Sequence, residues 1–536
     1  MVATLGIVGL IALILAIVNY VNLSTARADL RAREVALRKV VGAPRMALIR
    51  QFLAESLATA SIAGLLGLAL AELALPLVNS AGGTELAIAY WGRSGILPPV
   101  VTVVLVTGVV AGLYPAFVLS RFQPASVLSS TQSPGLGRRG RVLRSALVVG
   151  QFAIAIALMI GTGVLLVQAR HLQTSDLGFK RDGLIMVPSF ANRTFDPAQR
   201  DSIRRAISEL PGVAGTAISG VAPGGGTFTI RTFNDEKKIQ TEMLEGVTGP
   251  GFFKLYGARL RAGRLFKPNR FSADVMSPET DQLIGSTGLV RQSQKLNAVI
   301  NQSAVRSLGF DDDEAAIGEV ISAGDEITII GVIDNLRFGD PREPVQPQAY
   351  YLRTDNKFSP VLAVRYSGAD QPMLAAIENI WQNRAGTVPF DAVTVNRQLY
   401  EKYYEADLQR SRLFALGAVL AVAIGCLGLY GLAAFDTSRR VREVGIRKAL
   451  GASTRDIVRL LVGQFLRPVV IANVIAWPLA FFAMRRWLSG FDDRMALSPA
   501  FFMGATVLAI AIAALTVFGQ AWRVARAAPA KALRNG

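Results

Sequence analysis

Cysteine and histidine are almost absent from this chain: its 536 residues include one of each, Cys426 and His171. A single cysteine builds neither a disulfide framework nor a thiolate metal site within the chain. A catalytic triad or a histidine-ligated metal would rest on His171 alone, and a surface histidine is the plainer reading. The dipeptide Gly-Lys does not occur, which excludes a phosphate-binding loop of the G-x-x-x-x-G-K-[ST] kind. The chain is therefore expected to be no enzyme, to hold no cofactor or metal, and to be no ATPase by that route. Acidic residues are also short, 39 against 57 basic ones, for a net charge of +18.

What is abundant is apolar sequence: 51% of residues are hydrophobic and only 18% are charged. The apolar residues gather into seven runs, at 4–22, 52–78, 98–120, 146–167, 412–435, 461–485 and 500–522. Each is close to the roughly 20 residues that span a bilayer as a helix. The first run has no basic residue before it and a dense basic segment after it, so it reads as a span rather than a signal peptide. Pro468 and Pro478 are expected to kink the sixth. Ala63, Gly64, Gly67 and Ala69 suit the second to close helix contact. Glu55 and Glu72 stand near the ends of that span, where interfacial placement is more usual than a proton relay.

The charge is not spread evenly. Four segments, 23–51, 121–145, 436–460 and 523–536, hold 23 basic and 5 acidic residues, a net of +18. The remaining sequence is balanced, with 34 of each sign. Counting spans places all four segments on one side, which the positive-inside rule makes cytoplasmic. The N-terminus and residues 169–410 then lie outside and the C-terminus inside. Short basic loops beside a bilayer account for the charge, so the lipid bilayer is the expected partner and nucleic acid is not.

Two of these basic segments carry one motif. Glu34-Val35-Ala36-Leu37-Arg38-Lys39-Val40-Val41-Gly42-Ala43 returns 409 residues later as Glu443-Val444-Gly445-Ile446-Arg447-Lys448-Ala449-Leu450-Gly451-Ala452, preceded by Arg33 and Arg442. Glu34 and Arg38 have the i,i+4 spacing of a helical ion pair. Gly42 suits a left-handed helix cap, and Pro44 suits the first turn of the next helix. In the second copy, Ser453 and Asp456 form a capping-box-like start. Both copies read as helix-turn-helix elbows. Positive-inside anchoring explains the arginines but not the shared Glu, Gly and spacing. The elbows are therefore candidate docking sites, with Val35, Leu37, Val41, Val444, Ile446 and Leu450 as apolar contacts. Glu34, Arg38, Glu443 and Arg447 would set register, with Arg33, Lys39, Gly42, Arg442, Lys448 and Gly451 completing the two surfaces.

Residues 168–410 have shorter apolar runs and many turn signals. Strands are expected at 183–188, 227–233, 297–301, 326–333, 348–352 and 361–366, and helices at 197–210, 250–256, 302–308 and 371–384. This is an α+β domain of about 240 residues with two lobes. From about 396 a pattern free of Gly and Pro runs into the fifth span, predicting one continuous stalk helix. Pro223–Gly226 reads as a turn without a lysine. Asp311–Glu314 lacks the spacing of a calcium loop and reads as a solvated turn. Cys426 reads as a small buried residue.

The fold class is thus a polytopic α-helical membrane protein of about seven transmembrane helices with one large extracytoplasmic α+β domain. Its expected parts are a first three-helix permease unit (1–130), a cytoplasmic linker (131–145), a transmembrane stalk helix (146–168), the outer domain (169–410) and a second three-helix unit (411–536). The elbow motif, the endings Pro124–Leu128 and Pro529–Arg534, and three outer segments carry a resemblance. Those segments are Val247–Phe253 with Gly263-Arg264, Val299–Gln302 and Ile329–Ile333. Together they resemble the MacB/FtsX-type (type VII) permeases of ABC transporters, with the outer domain of the MacB periplasmic-core type. The family unit has four spans, and residues 1–145 fit only its last three. A further span and outer domain are accordingly expected ahead of residue 1, making this a duplicated form lacking them. The resemblance implies a separate cytoplasmic ABC ATPase that supplies energy through the elbows, with stalk helices carrying the motion outward in export or efflux from the bacterial inner membrane. An FtsX-like signalling role, activating an outer partner without moving cargo, is the alternative. Further expected partners are a periplasmic adaptor or cargo protein and a second copy of the chain. An ion-coupled transporter would need paired mid-membrane carboxylates, which the spans lack.

Overall fold

A computed structural model describes residues 2–26, 28–82, 85–92, 95–120, 137–226, 228–234, 240–276, 295–322, 325–354 and 360–526. The expected chain endings at 124–128 and 529–534 lie outside the described residues. The chain divides into a helical unit (Met1–Ala169, Asp407–Ser489, Met495–Gly536) and a sheet unit (Arg170–Ala406, Gly490–Arg494).

The helical unit opens with α1 (Val2–Ala26), α2 (Ala28–Val40), α3 (Arg45–Gly82), α4 (Leu97–Ser120) and α5 (Gly137–Thr174). Helix α5 thus starts inside the expected linker. Small residues bring α3 and α4 together. A Cβ on Gly112 would stand 2.8 Å from Ser56 Cβ, and the Ser56 hydroxyl donates to Gly108 O at 2.7 Å. Of the four small residues expected to serve this contact, Gly64 meets Val104, whereas Ala63, Gly67 and Ala69 are exposed. The contact is supplied chiefly by glycines of α4.

The sheet unit holds β1 (Leu184–Val187), α6 (Pro197–Ser208), β2 (Val213–Ser219) and a small hairpin, β3 (Val221–Ala222) with β4 (Gly225–Gly226). There follow β5 (Thr229–Asn234), β6 (Gln240–Thr248), α7 (Phe252–Tyr256), β7 (Leu260–Gly263), β8 (Lys295–Asn301) and α8 (Gln302–Ser307). The unit closes with β9 (Val320–Ser322), β10 (Glu326–Ile333), β11 (Gln348–Leu352), β12 (Val361–Tyr366), α9 (Asp370–Arg384), β13 (Val393–Thr394) and α10 (Val395–Leu399). The strand path β11-β8-β10-β9-β5-β6 returns on itself because β11 also pairs β6. From β6 the sheet continues through β2, β12, β1 and β13. Two cores follow from this path. One lies inside the ring, around Phe233, Ile300, Ile329 and Tyr351. The other is sealed by α6 and α9, around Ile203, Leu362 and Ile377. In the second core Trp381 is 1% exposed and its indole N–H donates to Val388 O at 2.9 Å, so its polar edge is satisfied as burial requires. The expected two lobes are these two cores.

The chain returns to the helical unit through α11 (Glu405–Arg439), then α12 (Val441–Ala449), α13 (Thr454–Leu488) and α14 (Pro499–Arg526). A π-helical turn at Tyr400–Tyr404 joins α10 to α11, so helix runs unbroken from Val395 as the sequence predicted. Helices α5, α13 and α14 share a core in which Ala472, Ala476 and Ala480 face Ala505, Ala509 and Ala513. Helix α13 remains helical across Pro468 and Pro478. Among the described residues, six helices, α1, α3, α5, α11, α13 and α14, are long and apolar enough to cross a membrane, and a seventh, α4, is apolar over Leu97–Leu113.

Candidate docking elbows

Each letter of the repeated motif has a place in one local structure. Helix α2 ends at a glycine with φ +95° (Gly42), and α12 at one with φ +97° (Gly451). The Gly42 N–H donates to Lys39 O at 3.0 Å and the Ala43 N–H to Arg38 O at 2.9 Å. In the second copy Gly451 donates to Lys448 O at 3.0 Å and Ala452 to Arg447 O at 3.0 Å. This is the paired bond of a Schellman cap, which needs a left-handed residue and so selects glycine. The adjacent Arg-Lys pair places positive charge in the last turn, where the helix dipole is negative. Arg38 pairs with Glu34 at 2.6 Å and Arg447 with Glu443 at 2.8 Å. The next helices start differently, α3 directly after Pro44 and α13 from a full capping box of Ser453 and Asp456.

The valines of the motif do not form a docking face. Val35 is 2% exposed, packed on Leu48, Ile49, Phe52 and Ala116, and Val444 packs on Ile457, Val458 and Leu461. They anchor each elbow to its own bundle, because position i of the motif points inward when Leu37 and Ile446, two residues on, point out. What stays outside is Leu37, Val41, Ile446 and Leu450, with Val41 87% and Leu450 82% exposed. Leu37, Arg38, Val41, Gly42 and Ala43 line a shallow cup of about 480 Å³ on the first elbow. Lys39 is turned back to the C-terminal end of α4, donating to Ser120 O at 2.7 Å, and Arg38 also donates to Gln51. The side chains of Arg33 and Arg442 lie outside those described.

A brace that sequence reading missed holds both elbows. Arg31 meets Glu55 at 2.5 Å, and Arg440 donates to Gln464 at 2.8 Å. Arg440 and Gln464 stand 409 residues beyond Arg31 and Glu55, so the repeat offset itself was the available signal. Glu55 is therefore an elbow brace.

The other singled-out residues go elsewhere. His171 Nε2 lies 2.7 Å from Asp493 Oδ1, and Arg337 pairs with Asp492 at 2.6 Å; all four belong to the sheet unit. Asp312 accepts from the Ala315 N–H and Asp313 pairs with Arg261 at 2.5 Å, consistent with a surface turn. Cys426 of α11 is partly buried rather than fully buried as expected.

Comparison with known proteins matches this architecture. The model of the FtsX-like permease C-terminal domain matches twice, at residues 6–124 and 415–529, and that of the MacB-like periplasmic core domain matches residues 145–376. The macrolide export ATP-binding/permease protein MacB of Bdellovibrio bacteriovorus is 31% identical over 63% of this chain and 49% of its own length. MacB of Bradyrhizobium diazoefficiens is 26% identical over 46% of this chain and 35% of its own. The pyoverdine export ATP-binding/permease protein PvdT of Pseudomonas putida is 32% identical over 32% and 26%, respectively. The chain thus spans half or less of the length of these relatives. Among solved structures, the periplasmic region of MacB from Actinobacillus actinomycetemcomitans matches 42% of this chain at 13% identity and a TM-score of 0.28. With FtsX-like halves on either side of a MacB-like core and apolar helices enough for a multi-pass membrane protein, the chain belongs to the MacB/FtsX-type permeases.

Proposed function

We propose that the chain is the permease subunit of an ABC transporter, that a separate cytoplasmic ATPase docks on the two elbows, and that its ATP-driven motion passes along the stalk to the sheet unit on the outer face for export. The observation that carries this is the residue left over at each elbow. The motif's valines, glycines and ion pairs are consumed by folding, whereas Leu37 and Ile446 stay exposed and Val41 and Leu450 stand almost fully exposed at the tip of equivalent turns. Exposed apolar side chains at matched tips, in the first elbow grouped with Leu37 around one cup beside positive charge, suit contact with partner pockets. The relatives' printed names, which join ATP binding to permease and to macrolide or pyoverdine export, support the ATPase partner and the export role. The absence of a Gly-Lys dipeptide agrees with energy coming from another subunit. The charge distribution supports elbows and C-terminus inside, sheet unit outside.

The test is co-purification with a co-expressed ABC ATPase. Val41→Asp with Leu450→Asp is expected to remove at least about 90% of the bound ATPase, since each buries a charge in an apolar pocket at a cost of several kcal/mol. Arg447→Glu should weaken it less. Undiminished ATPase recovery with the double variant would overturn the docking reading.

A further inference from the structure

Far in sequence from the first elbow, the sheet unit carries a cleft of about 690 Å³, a volume that suits a small organic ligand. It is lined by the first turn of α9, by β13 and the residues before it, and by the start of the stalk. The stalk contributes Gln398 from α10 and Glu401 and Lys402 from the π turn. Such turns are frequent at functional sites. The charges of the lining are unevenly matched. Arg397 and Glu401 neutralise each other at 2.6 Å. The Lys402 ammonium donates to Gly224 O at 2.5 Å and lies over the Tyr403 ring. Two carboxylates have no cation. Asp370 accepts from the Tyr366 hydroxyl at 2.6 Å through one oxygen and leaves the other open among the described residues. The Asp391 carboxylate makes no hydrogen bond or ion pair with any described residue.

A third acceptor lacks a donor. Gln398 Oε1 is buried without a hydrogen-bond partner, a costly state for a carbonyl oxygen. A turn of that amide towards the cleft sets the oxygen on a donor placed there. Pro188, Leu374 and Val393 add apolar lining beside these groups. Unmatched acceptors and unmatched negative charge call for a ligand that donates N–H bonds, carries positive charge and has apolar carbon between its charges. A bare divalent ion does not meet this. Among the described residues no three acidic, histidine or cysteine side chains are grouped to hold a metal, and a calcium ion takes about six to eight oxygens at close range.

We propose that this cleft binds a small aliphatic polyamine, with protonated amines on Asp370 and Asp391 and its methylene carbons against Leu374 and Val393. Because Glu401 and Lys402 belong to the π turn, the ligand touches the point where the sheet unit becomes stalk. The test is spermidine titrated into the purified full chain in detergent at low ionic strength, read by calorimetry and by amide hydrogen exchange. A single saturable site is expected, with slowed exchange confined to the segments that line the cleft, chiefly residues 391–404. D370N/D391N is expected to weaken binding about a hundredfold, tenfold for each charged acceptor lost. D311N/D312N removes the same charge from a surface turn of the same unit and is expected to leave binding within about twofold, because screening confines charge effects to short range. Magnesium ion at the same concentration is expected not to displace spermidine. No saturable site, protection centred elsewhere, equal weakening by D311N/D312N, or displacement by magnesium overturns the proposal. Should D370N/D391N fail to accumulate, the position of the exchange protection in the parent chain decides the matter. Neither readout needs an ATPase, so failure here is separate from failure of the transport reading.

Discussion

Gly42 and Gly451 show how much a single residue decides. Any L side chain at their φ meets its own carbonyl, at a cost of about 1–2 kcal/mol. Gly451→Ala is therefore expected to lower stability by about that amount, read as a lower thermal midpoint in detergent, and to reduce ATPase recovery by misplacing Leu450. Gly463→Ala is the control: it lies in α13 with open space around its Cβ, where alanine is preferred over glycine by about 1 kcal/mol, so stability should hold or rise. In the sheet unit, Asp274 is the residue with most at stake. It takes both guanidinium nitrogens of Arg264 (2.7 and 3.0 Å), the Lys267 N–H at 2.7 Å and the Asn297 amide at 2.6 Å. Burial works to raise its pKa, but these four donors together hold it below the ordinary 3.8. A depressed carboxylate stabilises the fold at pH above its ordinary value, and that contribution is lost as pH falls through the native value. Denaturation followed by tryptophan fluorescence should show this acid loss in the parent chain and not in Asp274→Ala, which should cost about 3 kcal/mol at neutral pH by stranding Arg264.

At the scale of elements, the continuous helix from Val395 is the connection with mechanical meaning. Its π turn at Tyr400–Tyr404 holds one residue more than an α turn. Deleting one residue from the α-helical stretch just beyond it, residues 405–410, rotates everything that follows by about 100°. Such a deletion is expected to leave ATPase docking on the elbows intact while abolishing ATP-driven work in reconstituted membranes; full retention of that work would show the stalk to be a passive tether. The long helices were legible because their signal is internal, in run length, and the stalk's continuity was legible in the lack of Gly and Pro over residues 395–416. Strands β8, β10, β11 and β12 were legible for the same reason, being strongly apolar. Strands β2, β7, β9 and β13 were not. Val213–Ser219 is built of small residues, Leu260–Gly263 is largely exposed, and Val320–Ser322 is three residues long. Their extended form is imposed by partners, β12 for the first and β10 for the other two. Strand β6 alternates in burial, but Glu242 and Glu245 masked its period.

For the whole molecule, the sequence determined the number and order of the long helices, the charge asymmetry and the internal repeat. These follow from composition over windows as long as a membrane is thick, and no distant contact can override them. It also determined the elbow caps, since a Schellman turn is closed by residues no more than five apart. Only the tertiary structure decided which motif residues face outward. Val35 and Val444 were eligible for docking by type, and packing against α3 and α13 removed them, leaving Leu37, Val41, Ile446 and Leu450. It likewise decided that Glu55 braces an elbow, that His171 meets Asp493 across 322 residues, and that α1 fits the glycine notches of α11. Each of these is a contact between segments far apart in the chain. Their physical reason is steric and electrostatic fit at a few ångströms, which residue order alone does not contain.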